Sequence, residues 1–155
     1  MNRAIILFCA TLALSACTGT AGLSPAMTAR MDVQGAQLDR TAAIGIINQF
    51  RASRSVSPLI ADAELDAAAQ TLAAQYAKSG KTPTRPAIAG IILTSAGYAT
   101  LADTFSGWRS GPADANTLAD AAQTRAGIGV AYTPNSNFGV HWVMLLAPSP
   151  TPAVQ

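Results

Sequence analysis

Histidine occurs once and cysteine twice in the 155 residues. That scarcity excludes a multi-cysteine zinc framework and any site that needs two imidazoles from one chain. Charge is also sparse. Only 12% of residues are charged, and 10 Lys and Arg against 8 Asp and Glu give a net +2. No basic stripe marks a nucleic-acid partner. Aromatics make up 6%. There is no internal repeat, phosphate-binding glycine loop, dinucleotide fingerprint or heptad stretch. What is abundant is small and apolar: hydrophobic residues reach 50%. That is enough for one domain with its own core, and it argues against disorder.

The first residues read as an address. Arg3 precedes the apolar run AIILFCATLAL of residues 4–14. This run is shorter than the roughly 20 residues that span a bilayer, and it suits the central part of an export signal. It closes on Leu14, Ser15, Ala16 and Cys17, which resembles the bacterial lipobox. The resemblance implies cleavage after residue 16 and lipidation of Cys17. Thr18 in the next place implies sorting to the outer membrane, with the domain facing the periplasm. Cys9 would leave with the signal and Cys17 would be acylated, so no thiol remains for catalysis or a disulfide. Residues 17–38, rich in Gly, Ser, Thr, Pro and Ala, read as a flexible tether.

Past the tether, Asp39 is an N-cap candidate, and Ala43, Ile46, Ile47 and Phe50 recur at helical spacing. Arg51 and Arg54 suit the negative end of that helix dipole. Pro58 breaks the pattern. Asp62 caps a second helix, with Leu65, Ala68, Ala69, Leu72, Ala73 and Tyr76 in period and Gly80 as its stop. Its alanines predict close packing against another element. Residues 81–86 read as a loop. Ile91, Ile92 and Leu93 fit either a buried strand or a helix start. Leu101, Phe105 and Trp108 predict a third helix. SGPADAN reads as a turn, and residues 114–122 as a short helix. Residues 126–132 and 139–147 are β-capable runs joined by TPNSN, a hairpin pattern. The second run is apolar on both faces, as a central strand would be. Residues 148–155 form a Pro-rich tail.

In this order the pattern resembles the CAP superfamily of cysteine-rich secretory, antigen 5 and pathogenesis-related proteins, also called the SCP domain. Asn48, Arg51, Pro58, Leu59, Asp62, Leu65, Ala69 and Ala73 occupy its "N..R" and "PL..D..L...A...A" places. Trp108, Pro112 and Leu118 fit "W..SP.H..NL". Arg125, Gly127, Gly129, Trp142 and Val143 fit "R.GVG…YWVQ.F". The resemblance covers residues 39–147. It implies an α+β fold: a three-layer α-β-α sandwich around a small antiparallel sheet. Many members hold a divalent metal between two histidines and two acidic residues in a central cleft. Here the loop that should carry the first histidine has none, the motif glutamate falls at Ile92, and the second histidine falls at Asp114. The resemblance therefore implies no metal and no cofactor.

Among the residues that remain, His141 with Asp114 as its orienter is the one general-base arrangement the sequence offers. The plainer reading of His141 is a hydrogen-bonded structural histidine, and it is preferred because no nucleophile is indicated. Ser95, Ser106 and Ser110 lack the nucleophile-elbow context. Asp114, Asn116, Ser110 and Trp108 would line the degenerate cleft as ligand-binding residues, although turn capping for the first three and core packing for Trp108 are the preferred readings. Lys78, Lys81 and Arg85 form a small basic group that suits a solvated helix end, or anionic lipid or envelope polymer. The expectation is a membrane-anchored, non-catalytic domain that binds a lipid, cell-wall or protein ligand. The alternatives are an envelope hydrolase using Asp114 and His141, and a purely structural envelope lipoprotein.

Overall fold

The computed structural model describes residues 23–150. The export signal, Cys17 with its lipidation, the first part of the tether and residues 151–155 lie outside the described residues. The chain forms α1 (Pro25–Thr28), α2 (Arg40–Ser53), β1 (Ile60–Ala61), α3 (Ala63–Ser79), β2 (Ile91–Ala96), α4 (Leu101–Ser110), α5 (Pro112–Leu118), β3 (Arg125–Tyr132) and β4 (Val140–Ala147). The strands order as β1-β3-β4-β2. Three strands are antiparallel, and β1 runs parallel to β3 over two residues. The sheet is therefore mixed, where the sequence led us to expect an antiparallel one. The α+β sandwich itself holds.

Side chains alternate across a strand, and this divides the core in two. Ala126, Ile128, Val130, Trp142, Met144 and Leu146 face one way, against Ile44 and Ile47 of α2, Phe105 and Trp108 of α4 and Leu118 of α5. Val143, Leu145 and Ala147 face the other way, against Leu65, Ala69 and Ala73 of α3. Thus α3 alone covers one face, and the remaining helices cover the other. β4 is buried throughout, as its two-sided apolar pattern predicted.

The caps follow the local chemistry. The Asp39 carboxylate accepts from the Ala42 amide at 2.9 Å, and Asp62 accepts from Glu64 and Leu65. Gly80 ends α3 in the left-handed region at φ 68°. α5 differs from expectation. It begins at Pro112, inside the stretch read as a turn, and stops at Leu118. Proline suits a first helical position because its missing N–H has no partner there. Part of the segment read as a tether packs on the domain. Met31 is 3% exposed, its amide donates to the Ala99 carbonyl at 2.7 Å, and Met27, Ala36 and Leu38 pack on the core. Apolar spacing in this segment is irregular, so periodicity did not reveal it.

β1 covers only the first two residues of β3. Farther along, side chains take over the exposed edge. Asp66 accepts from the Ile128 amide at 2.8 Å, Arg40 donates to the Ile128 carbonyl at 2.9 Å, and Gln70 donates to the Val130 carbonyl at 2.8 Å. An open edge is a template for pairing with another chain, and these three residues close it.

Candidate functional site

Asp114 sits in the first turn of α5, half-exposed, and Asn116 is exposed one position beyond the buried Ala115. The Ser110 hydroxyl donates within its own helix to the Gly107 carbonyl at 2.9 Å. Trp108 is 2% exposed and its indole N–H donates to the Thr94 carbonyl at 3.2 Å. It is a core residue, and it is not open to a ligand. Ser110 thus ends α4 and Asp114 and Asn116 stand two residues apart on the following α5, so the three share the α4–α5 junction without a contact between them.

His141 lies elsewhere. In β4 it shares the odd-numbered face with Val143 and Leu145, beneath α3. α5 packs on the opposite face through Leu118. The sheet stands between Asp114 and His141, so the two do not form a base and its orienter. Strand parity decides this, and parity within a strand says nothing about which helix lies over which face.

Parity divides β2 as it divides β4. Ile91, Leu93 and Ser95 share the side on which α5 packs, whereas Ile92, the place of the family glutamate, faces α3 with Leu145. Among the described residues no three His, Cys, Asp or Glu side chains gather in one place. An isoleucine and a lone carboxylate do not fit the family's divalent metal.

The surroundings of His141 were not legible in the sequence. Its ring is fully buried. Tyr76 of α3 meets it edge-on with centroids 4.5 Å apart, and Phe138 stands 6.2 Å away. Nε2 lies 3.2 Å from the Ser136 hydroxyl. Burial pushes the imidazole pKa down, with the Gly139 carbonyl acting in the opposite direction. A buried neutral imidazole, with no carboxylate to stabilise its charged form, is a poor proton acceptor. Outside this cluster, Ala77, Lys78, Tyr132 and Asn135 line a hollow of about 340 Å³ between α3 and the hairpin. It adjoins one of about 210 Å³ reaching Ser136 and Phe138.

This burial has a pH consequence. The unfolded chain takes up a proton at His141 near pH 6.5, and the folded domain resists it. The unfolded state therefore binds more protons as pH falls, and folding stability declines from about pH 7 downward until the lowered folded pKa is passed. The Asp62 carboxylate behaves differently. It is held below its ordinary value by the Leu65 amide first, and also by Arg125 and the Glu64 amide, against burial. Its contribution is present at neutral pH and is lost only as pH falls below about 4. Urea midpoints measured from pH 7.5 to 5 should fall for the native protein and stay flatter for His141→Gln. Equal slopes would show that His141 is not held neutral.

The expected basic group after α3 is divided. Lys78 lines the hollow beside the hairpin, but Arg85 turns back onto the Ala89 carbonyl near the other end of the sheet.

A three-layer sandwich with one helix on one face of a mixed four-stranded sheet and several on the other defines a CAP-type domain. The model of the cysteine-rich secretory protein (CAP) family matches residues 44–146, and the chain belongs to this family. Among solved structures it is similar to MpPR-1i, at a TM-score of 0.59 and 16% identity, covering 74% of this chain and 94% of that one. An outer surface protein of Borrelia burgdorferi aligns at a TM-score of 0.52 and 15% identity, over 70% and 91% of the two chains. An extracellular SCP-domain protein of Bacillus anthracis aligns at 0.55 and 10%, over 70% of this chain and 40% of that one. No curated protein matches by sequence. At these identities the structural likeness establishes the fold.

Proposed function

We propose that the protein is an envelope lipoprotein, anchored through Cys17 to the periplasmic side of the outer membrane, whose CAP domain binds a ligand or protein without catalysing a reaction. One observation carries the non-catalytic reading. The sole imidazole is buried beneath α3, across the sheet from Asp114 and the metal-cleft side. Asp114 therefore has no imidazole partner, and among the described residues no cluster of ligating side chains joins it. Ser110, Asp114 and Asn116 remain at the surface there as ligand contacts. The extracytoplasmic location is supported by the lipobox-like run and by the names of two structural neighbours, an outer surface protein and an extracellular protein. Among the described residues no helix is long and apolar enough to cross a membrane.

Two measurements test this. Cys17→Ala should move the protein from the membrane pellet to the soluble fraction; retention in the pellet would overturn the anchor. Calorimetric titration with zinc should give no stoichiometric complex. A tight one-to-one complex would mean that the cleft side is assembled differently and would reopen catalysis.

A further inference from the structure

The molecule has two distinct ends. At one end lie the hairpin loop between Tyr132 and Val140, the loop from β2 into α4, and the C-terminus of α3. At the other lie Arg125, Ala147 and residues 148–150. The N-terminal segment joins the first end, where the Met31 amide bonds to the Ala99 carbonyl. Among the described residues six large hydrophobic side chains are exposed: Leu23, Val33, Ile60, Ile88, Tyr98 and Phe138. Two of them come from the loops at this end. The Phe138 ring lies beside Gly97, and the next residue, Tyr98, lays its ring against Gly107 of α4. Val33 follows Met31 by two residues. Phe138 is 57% exposed and Tyr98 43%. Lys78 lines the same hollows as the hairpin. The other charges near this end are Lys81, Asp103 and Arg30, whose guanidinium pairs with Asp32.

Leu23 is only six residues after Cys17. Six residues reach at most about 20 Å. A domain held so close meets the bilayer surface at high effective concentration, so a modest apolar patch is enough to orient it. Aromatic rings with an adjacent ammonium are the side chains that favour the headgroup boundary.

We propose that this end of the sandwich rests on the bilayer, with Phe138 and Tyr98 in the interface and Lys78 among anionic headgroups. The proposal rests on the Cys17 anchor. The groove between α3 and the hairpin then faces lipid, and the Ile60 and Arg125 end faces the periplasm. The occupant is a lipid surface because the chain's own anchor leads there. Nothing comparable brings a second copy or a protein partner to the patch.

The test uses the full lipidated chain in vesicles of phosphatidylethanolamine and phosphatidylglycerol, with lipids brominated near the carbonyl end of the acyl chains. Trp108 and Trp142 are buried and provide a constant background. Phe138→Trp keeps an aromatic ring in place and should lose about half of its added fluorescence to bromine. Ile60→Trp, at the far end, should lose almost none. Equal quenching at both positions, or none at residue 138, overturns the docking while flotation of the protein with vesicles upholds the anchor. A blue-shifted but unquenched Trp at 138 would mean that protein covers the patch, and it overturns the bilayer as occupant. Failure to float overturns both readings.

Discussion

Alanine at Gly127 or Gly129 is expected to leave the domain largely unfolded. A methyl group on Gly127 would stand 2.2 Å from the Leu65 carbonyl carbon and 2.3 Å from the Asp66 amide nitrogen; on Gly129 it would stand 2.4 Å from the Gln70 amide nitrogen. These are backbone atoms of α3, so no rotamer change relieves them. The helix would have to lift off the sheet, and it is held there by Ala69, Ala73 and Ala77, which have no side chain to spare. Overpacking usually costs about 1–3 kcal/mol, and backbone against backbone lies above that range. Domains of this size have about 5–15 kcal/mol in all. Far-UV circular dichroism and a urea melt decide it. Gly111→Ala is the control, because a methyl there meets nothing, and it should melt like the native protein. A cooperative native-like melt for Gly129→Ala would show that α3 does not seat on β3 as described.

Removing the Arg51 guanidinium should be nearly as damaging. The residue is fully buried and donates to the carbonyls of Ser57 at 2.8 Å, Leu118 at 2.7 Å, Asp120 at 3.1 Å and Gln123 at 3.0 Å. It thereby ties the end of α2 to the loop before β1, the end of α5 and the turn into β3. Its burial lowers the guanidinium pKa, with Asp120 acting in the opposite direction, yet an arginine stays charged at any ordinary pH. Asn48, one turn earlier, holds the Leu59 backbone by a two-way amide pair. Arg51→Met keeps the stem and leaves the Ser57, Leu118 and Gln123 carbonyls without the guanidinium, while the Asp120 carbonyl keeps the Gln123 amide at 3.2 Å. Each unsatisfied buried group costs about 1–3 kcal/mol, less than additively, so a loss of about 3–5 kcal/mol in the urea extrapolation is expected. Arg51→Lys should recover only part of it, since a point-like ammonium cannot serve four directions at once. A loss under about 1 kcal/mol for Arg51→Met would mean that water replaces the guanidinium.

Much of the fold was legible because local rules and tertiary demands agree. Asp39, Asp62 and Gly80 cap helices wherever such residues stand free of competing partners. The hairpin and the two-sided apolar run of β4 follow from turn chemistry and alternation. Arg51 shows where local reading fails. Near a helix end an arginine suits the dipole, and that sufficed without burial. Yet Ala43, Ile44, Ile47 and Arg51 form one buried stripe of α2, and a charged residue in line with an apolar stripe was the available signal. β1 was missed because two exposed residues carry no pattern, and its strand geometry comes from pairing with β3.

The sequence alone determined composition-level limits: one imidazole, two cysteines that both precede residue 18, and the family's order of helices and strands. Those follow from residue identity and spacing, which folding does not alter. Only the tertiary structure decided which side chains share a face. His141 and Asp114 are both polar and both near matched motifs, but the sheet separates them. The physical reason is that strand periodicity assigns residues to two sides without saying which helices cover each. That choice is made by packing, here by two glycines of β3 that admit α3 at backbone contact on one face only.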